Sequence, residues 1–205
     1  SPDGSKLFIL REDANTGDMK LLISADNGAS WNSFAMPDSA NRLLVNTDGS
    51  KMIVNGRSGE KSFYMSTDGG HNWVKSSNID PSNNHLFMSP DGSTLARCGD
   101  DGETPPLYVS IDDGQTWTQK GNICPERVLD DGKMIAIDGT PSVVKRSDDY
   151  GLTWTDAGTH VVYDTTLVSI STDGNSLFNG RKISLDGGAS WASIPTEVPT
   201  QKVDD

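Results

Sequence analysis

The chain carries 29 carboxylates, three histidines and two cysteines with which it could do chemistry. Their spacing argues against most of the reactions those groups support. Zinc needs Cys and His grouped at ligand spacing, whereas Cys98, Cys124, His71, His85 and His160 are scattered along the sequence. The run Cys98-Gly-Asp-Asp-Gly-Glu103 has enough oxygen for Ca²⁺ but lacks the order of an EF-hand loop. Glycoside hydrolysis needs a pair of carboxylates flanking the scissile bond, and no pair stands out among so many. A Ser-His-Asp triad can be drawn through any chain this rich in Ser and Asp, and no spacing here marks one. The expectation is no catalytic residue, no metal and no cofactor.

One carboxylate set does recur. The pattern Ser-x-Asp-x-Gly-x-x-Trp occurs five times, at Ser24-Asp26-Gly28-Trp31, Ser66-Asp68-Gly70-Trp73, Ser110-Asp112-Gly114-Trp117, Ser147-Asp149-Gly151-Trp154 and Ser184-Asp186-Gly188-Trp191. It accounts for all five tryptophans, spaced 42, 44, 37 and 37 residues apart. Ser and Asp side chains bond the backbone of their own turn, Gly supplies a positive φ, and Trp buries a large ring against a sheet. Asp26, Asp68, Asp112, Asp149 and Asp186, with Trp31, Trp73, Trp117, Trp154 and Trp191, are therefore expected to hold hairpins rather than ligands. A second motif alternates with the first: Pro2-Asp3-Gly4, Thr47-Asp48-Gly49, Pro90-Asp91-Gly92, Asp130-Asp131-Gly132 and Thr172-Asp173-Gly174.

Two interleaved motifs at a period near 40 residues define a repeat protein. The units are 1–40, 41–83, 84–123, 124–163 and 164–205. In the third, His85–Met88, Ser93–Arg97, Leu107–Ser110 and a stretch opening at Thr116 read as strands A to D. In the second, Leu43–Val45, Met52–Val54 and Phe63–Met65 are A, B and C. These are short apolar runs rather than alternations, so each strand is buried on both faces. Sheets sandwiched between sheets about a central channel supply that environment. The fold class is all-β, a β-propeller, with five four-stranded blades as the expectation and almost no helix. The first unit opens on its A–B turn and so lacks a strand A. Thr200–Val203 is the candidate to fill that place, with membership of a larger ring as the alternative.

In such blades the A–B and C–D turns share one face, and the longer B–C and D–A loops share the other. Function concentrates on varied loops. Arg11, Arg57, Arg97 and Arg181 close strand B in four units, and Arg42, His85 and Arg127 stand near the start of strand A in three. Arg42, Arg57, His85, Arg97 and Arg127 are the candidate ligand-binding residues, for acidic groups or sugar hydroxyls. The competing reading makes the arginines caps of strand ends, paired with Asp13, Asp100, Asp138 and Glu126. Cys98 and Cys124 also fall on the loop face. A bridge across their 26-residue separation and two free thiols are both open, and a bridge would imply an oxidising compartment.

The five Ser-x-Asp-x-Gly-x-x-Trp segments resemble the Asp-box, or BNR, repeat shared by sialidases, sortilin-type receptors, xyloglucanases and a photosystem II assembly factor. The resemblance covers essentially the whole chain. It implies a propeller with these turns between strands C and D, and it implies no single function, because the class holds enzymes, receptors and scaffolds. Sialidases carry Arg-Ile-Pro, an arginine triad and a nucleophilic Tyr with its Glu. No Arg-Ile-Pro occurs here, and Tyr64 and Tyr108 fall in expected core strands.

A net charge of −12 disfavours a nucleic acid or an anionic membrane surface as partner, and no stretch approaches the ~20 apolar residues of a membrane span. The expectation is a non-catalytic recognition module, extracellular or displayed on a viral or bacterial surface, binding a glycan or a surface protein. A sialidase-like hydrolase and a scaffold docking a protein partner are the alternatives. The chain begins at Ser1 rather than Met, as a processed product or a piece of a longer protein does.

Overall fold

A computed structural model of the protein describes residues 4–37, 42–55, 63–76, 86–99, 105–139, 143–157 and 169–194. These form five antiparallel sheets, one per sequence unit. The first holds β1 (Leu7–Glu12), β2 (Met19–Ser24) and β3 (Asn32–Ala35). The second holds β4 (Arg42–Val45), β5 (Met52–Asn55), β6 (Phe63–Ser66) and β7 (Val74–Ser76), and the third β8 (Leu86–Met88), β9 (Leu95–Cys98), β10 (Leu107–Ser110) and β11 (Thr118–Gly121). The fourth holds β12 (Arg127–Val128), β13 (Met134–Asp138), β14 (Val143–Ser147) and β15 (Thr155–Asp156), and the fifth β16 (Ser169–Ile170), β17 (Leu177–Phe178), β18 (Lys182–Ser184) and β19 (Ala192–Ser193). Each sheet is a meander whose neighbours in sequence are neighbours in space. The only helical turn among the described residues is a three-residue 3₁₀ turn at Asp130–Gly132.

The apolar runs form strands because neighbouring sheets cover both their faces. Met52, Ile53 and Val54 of β5 are fully buried, as are Met134, Ile135 and Ala136 of β13. Four apolar clusters lie between successive sheets. Leu21, Met52 and Val54 join the first to the second, and Ile53, Phe63, Leu86 and Leu95 the second to the third. Ala96, Leu107, Val128 and Met134 join the third to the fourth, and Ile135, Val144 and Leu177 the fourth to the fifth. Trp73, Trp117, Trp154 and Trp191 each pack against one cluster. At ~25 cal/mol per Å² of apolar area, these interfaces supply the main stabilisation.

The first sheet differs. β1 is mostly exposed along its length, Leu7 and Ile9 among its residues, and Trp31 is 38% exposed. Among the described residues, the first sheet has three strands where five equal units predict four, and β1 has no partner on its inner edge. The candidate closing segment, Thr200–Val203, lies outside the described residues. A groove of about 650 Å³ runs beside that edge, between Leu7, Phe8 and Leu10 of the first sheet and Leu43 and Val45 of β4.

The A–B and C–D turns share one face, as the meander requires, and are joined there. Gly69 N donates to Ser50 O, Tyr150 N to Gly132 O, and Gly187 N to Asn175 O. Neighbouring A–B turns are also stitched together: Thr47 N donates to Pro90 O, and Asp91 N to Asp130 Oδ1 at 2.9 Å.

Candidate functional site

The five recurrent turns have one construction. The Ser Oγ donates to Asp Oδ1 at 2.7–2.8 Å and accepts the N–H of the following Gly at 2.8–2.9 Å. The residue four beyond the Asp (Ser30, Asn72, Thr116, Thr153 or Ser190) donates its backbone N–H to Oδ1 and its side chain to Oδ2. The indole N–H of each Trp donates to the Gly carbonyl at 3.0–3.1 Å. Both carboxylate oxygens are thus occupied inside the turn. These bonds hold Asp26, Asp68, Asp112, Asp149 and Asp186 at a pKa of about 2, against an ordinary 3.8. The dominant cause is the Ser30, Thr116, Thr153 or Ser190 side chain in four turns and the Asn72 backbone N–H in the fifth. Carboxylates this well satisfied hold a hairpin and have little left to offer a ligand.

On the opposite face, two of the sequence-singled cations converge. Inner strands β4 and β12 flank β8, and each starts at the loop side and runs toward its A–B turn. Arg42 begins β4 and Arg127 begins β12, so both stand at the loop end of a central cavity of about 470 Å³. Glu126 lies beside them, Leu44, Phe87, Met88 and Val128 form the walls, and Thr47, Pro90 and Thr172 stand at the turn end. Arg127 is partly buried, and its Nε is shielded from solvent without a hydrogen-bond partner.

Arg97 is placed elsewhere. Its guanidinium carbon lies 4.3 Å from the centre of the Tyr108 ring and 5.7 Å from that of Trp117, a cation–π stack inside the third sheet. Arg11 lines a separate surface hollow with Asp13 and Lys20, where Lys20 Nζ meets Asp13 Oδ2 at 2.5 Å. Arg57 and His85 lie outside the described residues. Tyr64 and Tyr108 sit half-buried in β6 and β10. Cys98 and Cys124 are bridged, with Cα atoms 5.9 Å apart. The bridge ties the end of β9 to the connection entering β12. Among the described residues, no group of three or more His, Cys, Asp or Glu is placed to hold a metal.

Sequence reasoning missed the hydroxyl or amide four residues after each Asp, although the signal was there: Ser, Asn, Thr, Thr and Ser at one motif position. It also missed the Arg97 stack, for which residue order carries no cue. Tyr150 is a third case. It occupies the left-handed region at φ 62, where an aromatic residue is strained, with its ring so close over Gly132 that a Cβ there would sit 2.3 Å from it.

No family model matches the chain, and no curated protein matches it. Solved structures do. TolB from Acinetobacter baumannii superposes with a TM-score of 0.63 at 13% identity, over 92% of this chain and 52% of its own. The GH74 xyloglucanase from Xanthomonas campestris gives 0.57 at 15%, over 94% of this chain and 37% of its own. YCF48 bound to D1 peptide gives 0.55 at 15%, over 85% and 60%. This chain therefore spans between about a third and three fifths of these neighbours' lengths. At such identities the likeness defines the fold: an all-β protein of the propeller type, built of meander sheets. The neighbours include enzymes as well as proteins not described as enzymes, and the fold alone does not choose between them.

Proposed function

We propose that the chain is a non-catalytic recognition module that docks a protein segment through the loop side of its propeller. The observation that carries the reading is the division of labour between faces. The carboxylates of the Asp-box turns are consumed by their own hairpins, while Arg42 and Arg127 stand at the loop end of a roomy central cavity. The apolar walls (Leu44, Phe87, Met88 and Val128) suit aliphatic side chains. A glycan would prefer aromatic platforms and convergent hydrogen-bonding groups. A similar fold in YCF48 is found with a peptide, which supports the reading by analogy of fold alone.

Non-catalytic function is the expectation carried over from the missing Arg-Ile-Pro and from Tyr64 and Tyr108 lying in core strands. The Cys98–Cys124 bridge supports residence in an oxidising compartment, at a cell surface or outside the cell. Cross-linking to captured partners, with hydrogen-exchange footprinting, tests the docking face. Protection should fall on the loop side, around β4 and β12. A footprint on the Asp26, Asp68, Asp112, Asp149 and Asp186 turns would overturn the reading. A glycan array and a fluorogenic sialoside assay test the rivals, and a saturable hit in either would replace it.

A further inference from the structure

The interfaces between successive sheets share one knob and one socket. The knob is the residue three before the serine of the recurrent turn: Leu21 in β2, Phe63 in β6, Leu107 in β10 and Val144 in β14. All four are buried. The socket is the turn glycine of the next sheet. A Cβ on Gly70 would lie 2.6 Å from Leu21, one on Gly114 2.7 Å from Phe63 and one on Gly188 3.1 Å from Val144, and one on Gly151 would collide with Leu107. In each receiving sheet, the residue paired with the turn serine is Met52, Leu95, Met134 or Leu177. Each is fully buried in the same cluster as its knob.

The two ends of the series depart from this rule in opposite ways. The first sheet has the socket without the knob. Leu7 pairs with Ser24, the place that Met52 holds in the second sheet, yet it is 38% exposed. Ile9, two residues further along the same face, and Trp31 are exposed as well. Among the described residues, a Cβ on Gly28 would meet only Leu7 and Trp31 of its own unit. In the fifth unit the knob position, three before Ser184, is Arg181, which is exposed. A charged residue there suits a terminal unit that faces water.

We propose that the open face of the first sheet, Leu7, Ile9 and Trp31 around Gly28, docks a further sheet of the same repeat whose knob is a bulky apolar residue, supplied by polypeptide outside residues 1–205. The chain itself states the complement four times, as Leu, Phe, Leu and Val. Three large apolar side chains exposed on one face mark an interaction surface. The chain's own fifth sheet offers a guanidinium at the knob position, and a charge buried against Leu7 and Ile9 without a partner is costly. A second copy does not supply the knob either. Its Leu21, Phe63, Leu107 and Val144 are covered by its own sheets, and its last unit again presents Arg181. The surface is separate from the loop side, so it stands whether or not a segment docks there.

A benzophenone side chain installed at Ile9, at the native locus in the source cell, reports what covers the face when irradiated and mapped by peptide mass spectrometry. Attachment is expected within a sheet that ends in Ser-x-Asp-x-Gly-x-x-Trp, is absent from residues 1–205 and has a bulky apolar residue three before its serine. Gly28→Ala puts a methyl group into the socket and should lower that cross-link about ten-fold or more, the scale of an overpacked contact. If Gly28→Ala does not fold, Leu7→Ser carries the test, because it removes apolar surface beside the socket. Arg181→Gln should leave the cross-link unchanged. Attachment to the fifth sheet would show that the chain's own last unit is the occupant and overturn the proposal. So would attachment to the first sheet of a second copy, to a peptide without the motif, or to nothing. Attachment to a sheet of the repeat that is indifferent to both Gly28→Ala and Leu7→Ser would overturn the socket.

Discussion

Ser110 shows how one side chain organises a turn. It is 2% exposed, its Oγ accepts the Gly114 N–H at 2.9 Å, and it donates to Asp112 at 2.7 Å. Ser110→Ala leaves that buried N–H without a partner, and urea unfolding should show a loss of about 1–3 kcal/mol. Exposed serines outside the turns should cost far less. The five turn aspartates share one pH dependence. Each carboxyl is held at about 2 in the fold and near 3.8 when free. A depressed folded pKa means that the stabilisation is complete above the free value and is lost as pH falls through the folded one. Unfolding midpoints should therefore hold down to about pH 4 and then fall steadily toward pH 2. Asp112→Asn should flatten that decline, and a midpoint unchanged at about pH 2.5 would contradict the assignment.

At the scale of elements, the turns also set how closely sheets approach. Gly70 has φ +88, and a Cβ placed there would lie 2.6 Å from Leu21 Cδ2 in the first sheet. Gly4 has φ +74 with nothing within 4 Å. Gly4→Ala should cost only the left-handed penalty, about 1 kcal/mol. Gly70→Ala should cost about 1–3 kcal/mol more, because the sheets must separate. Equal thermal shifts for the two would show that packing does not fix the spacing. The Cys98–Cys124 bridge closes a 26-residue separation. Its reduction should cost about 3 kcal/mol in the loop-entropy account. Mass spectrometry of unreduced protein should find no alkylatable thiol.

What the sequence showed at this scale follows from range. The strand C segments Phe63–Ser66 and Leu107–Ser110 were legible almost to the residue, because the local Ser-x-Asp-x-Gly turn ends each of them. Strand B of the third unit was placed at Ser93–Arg97 and lies at Leu95–Cys98, because Ser93 and Thr94 bond back to Asp91 and Ser89 within the A–B turn. The placement of Arg42 and Arg127 along one cavity was legible from their equivalent places in the repeat. The stacking of Arg97 on Tyr108 and the pairing of the cysteines depend on which side chains face across strands and sheets, and local pattern does not encode that.

For the whole molecule, the apolar clusters of the described residues join sheets that follow one another in sequence, which makes stability a sum of unit and interface terms. The second, third and fourth sheets have an apolar cluster on each side. Among the described residues, the first has one on a single side, with Leu7, Ile9 and Trp31 left exposed. β5 and β13 should therefore open only with global unfolding, while β1 should open by a smaller fluctuation. Native-state hydrogen exchange measures this directly. Amides of Ile53, Val54, Ile135 and Ala136 should be the slowest, and those of Phe8 to Leu10 should exchange at least about ten-fold faster. If β1 instead exchanges as slowly as β5, a strand on its inner edge or a sheet against Trp31 covers it in solution. Ile9→Lys then separates the two arrangements. On a solvent-facing strand it is nearly neutral, whereas a charge buried beneath a further sheet would lower stability by several kcal/mol.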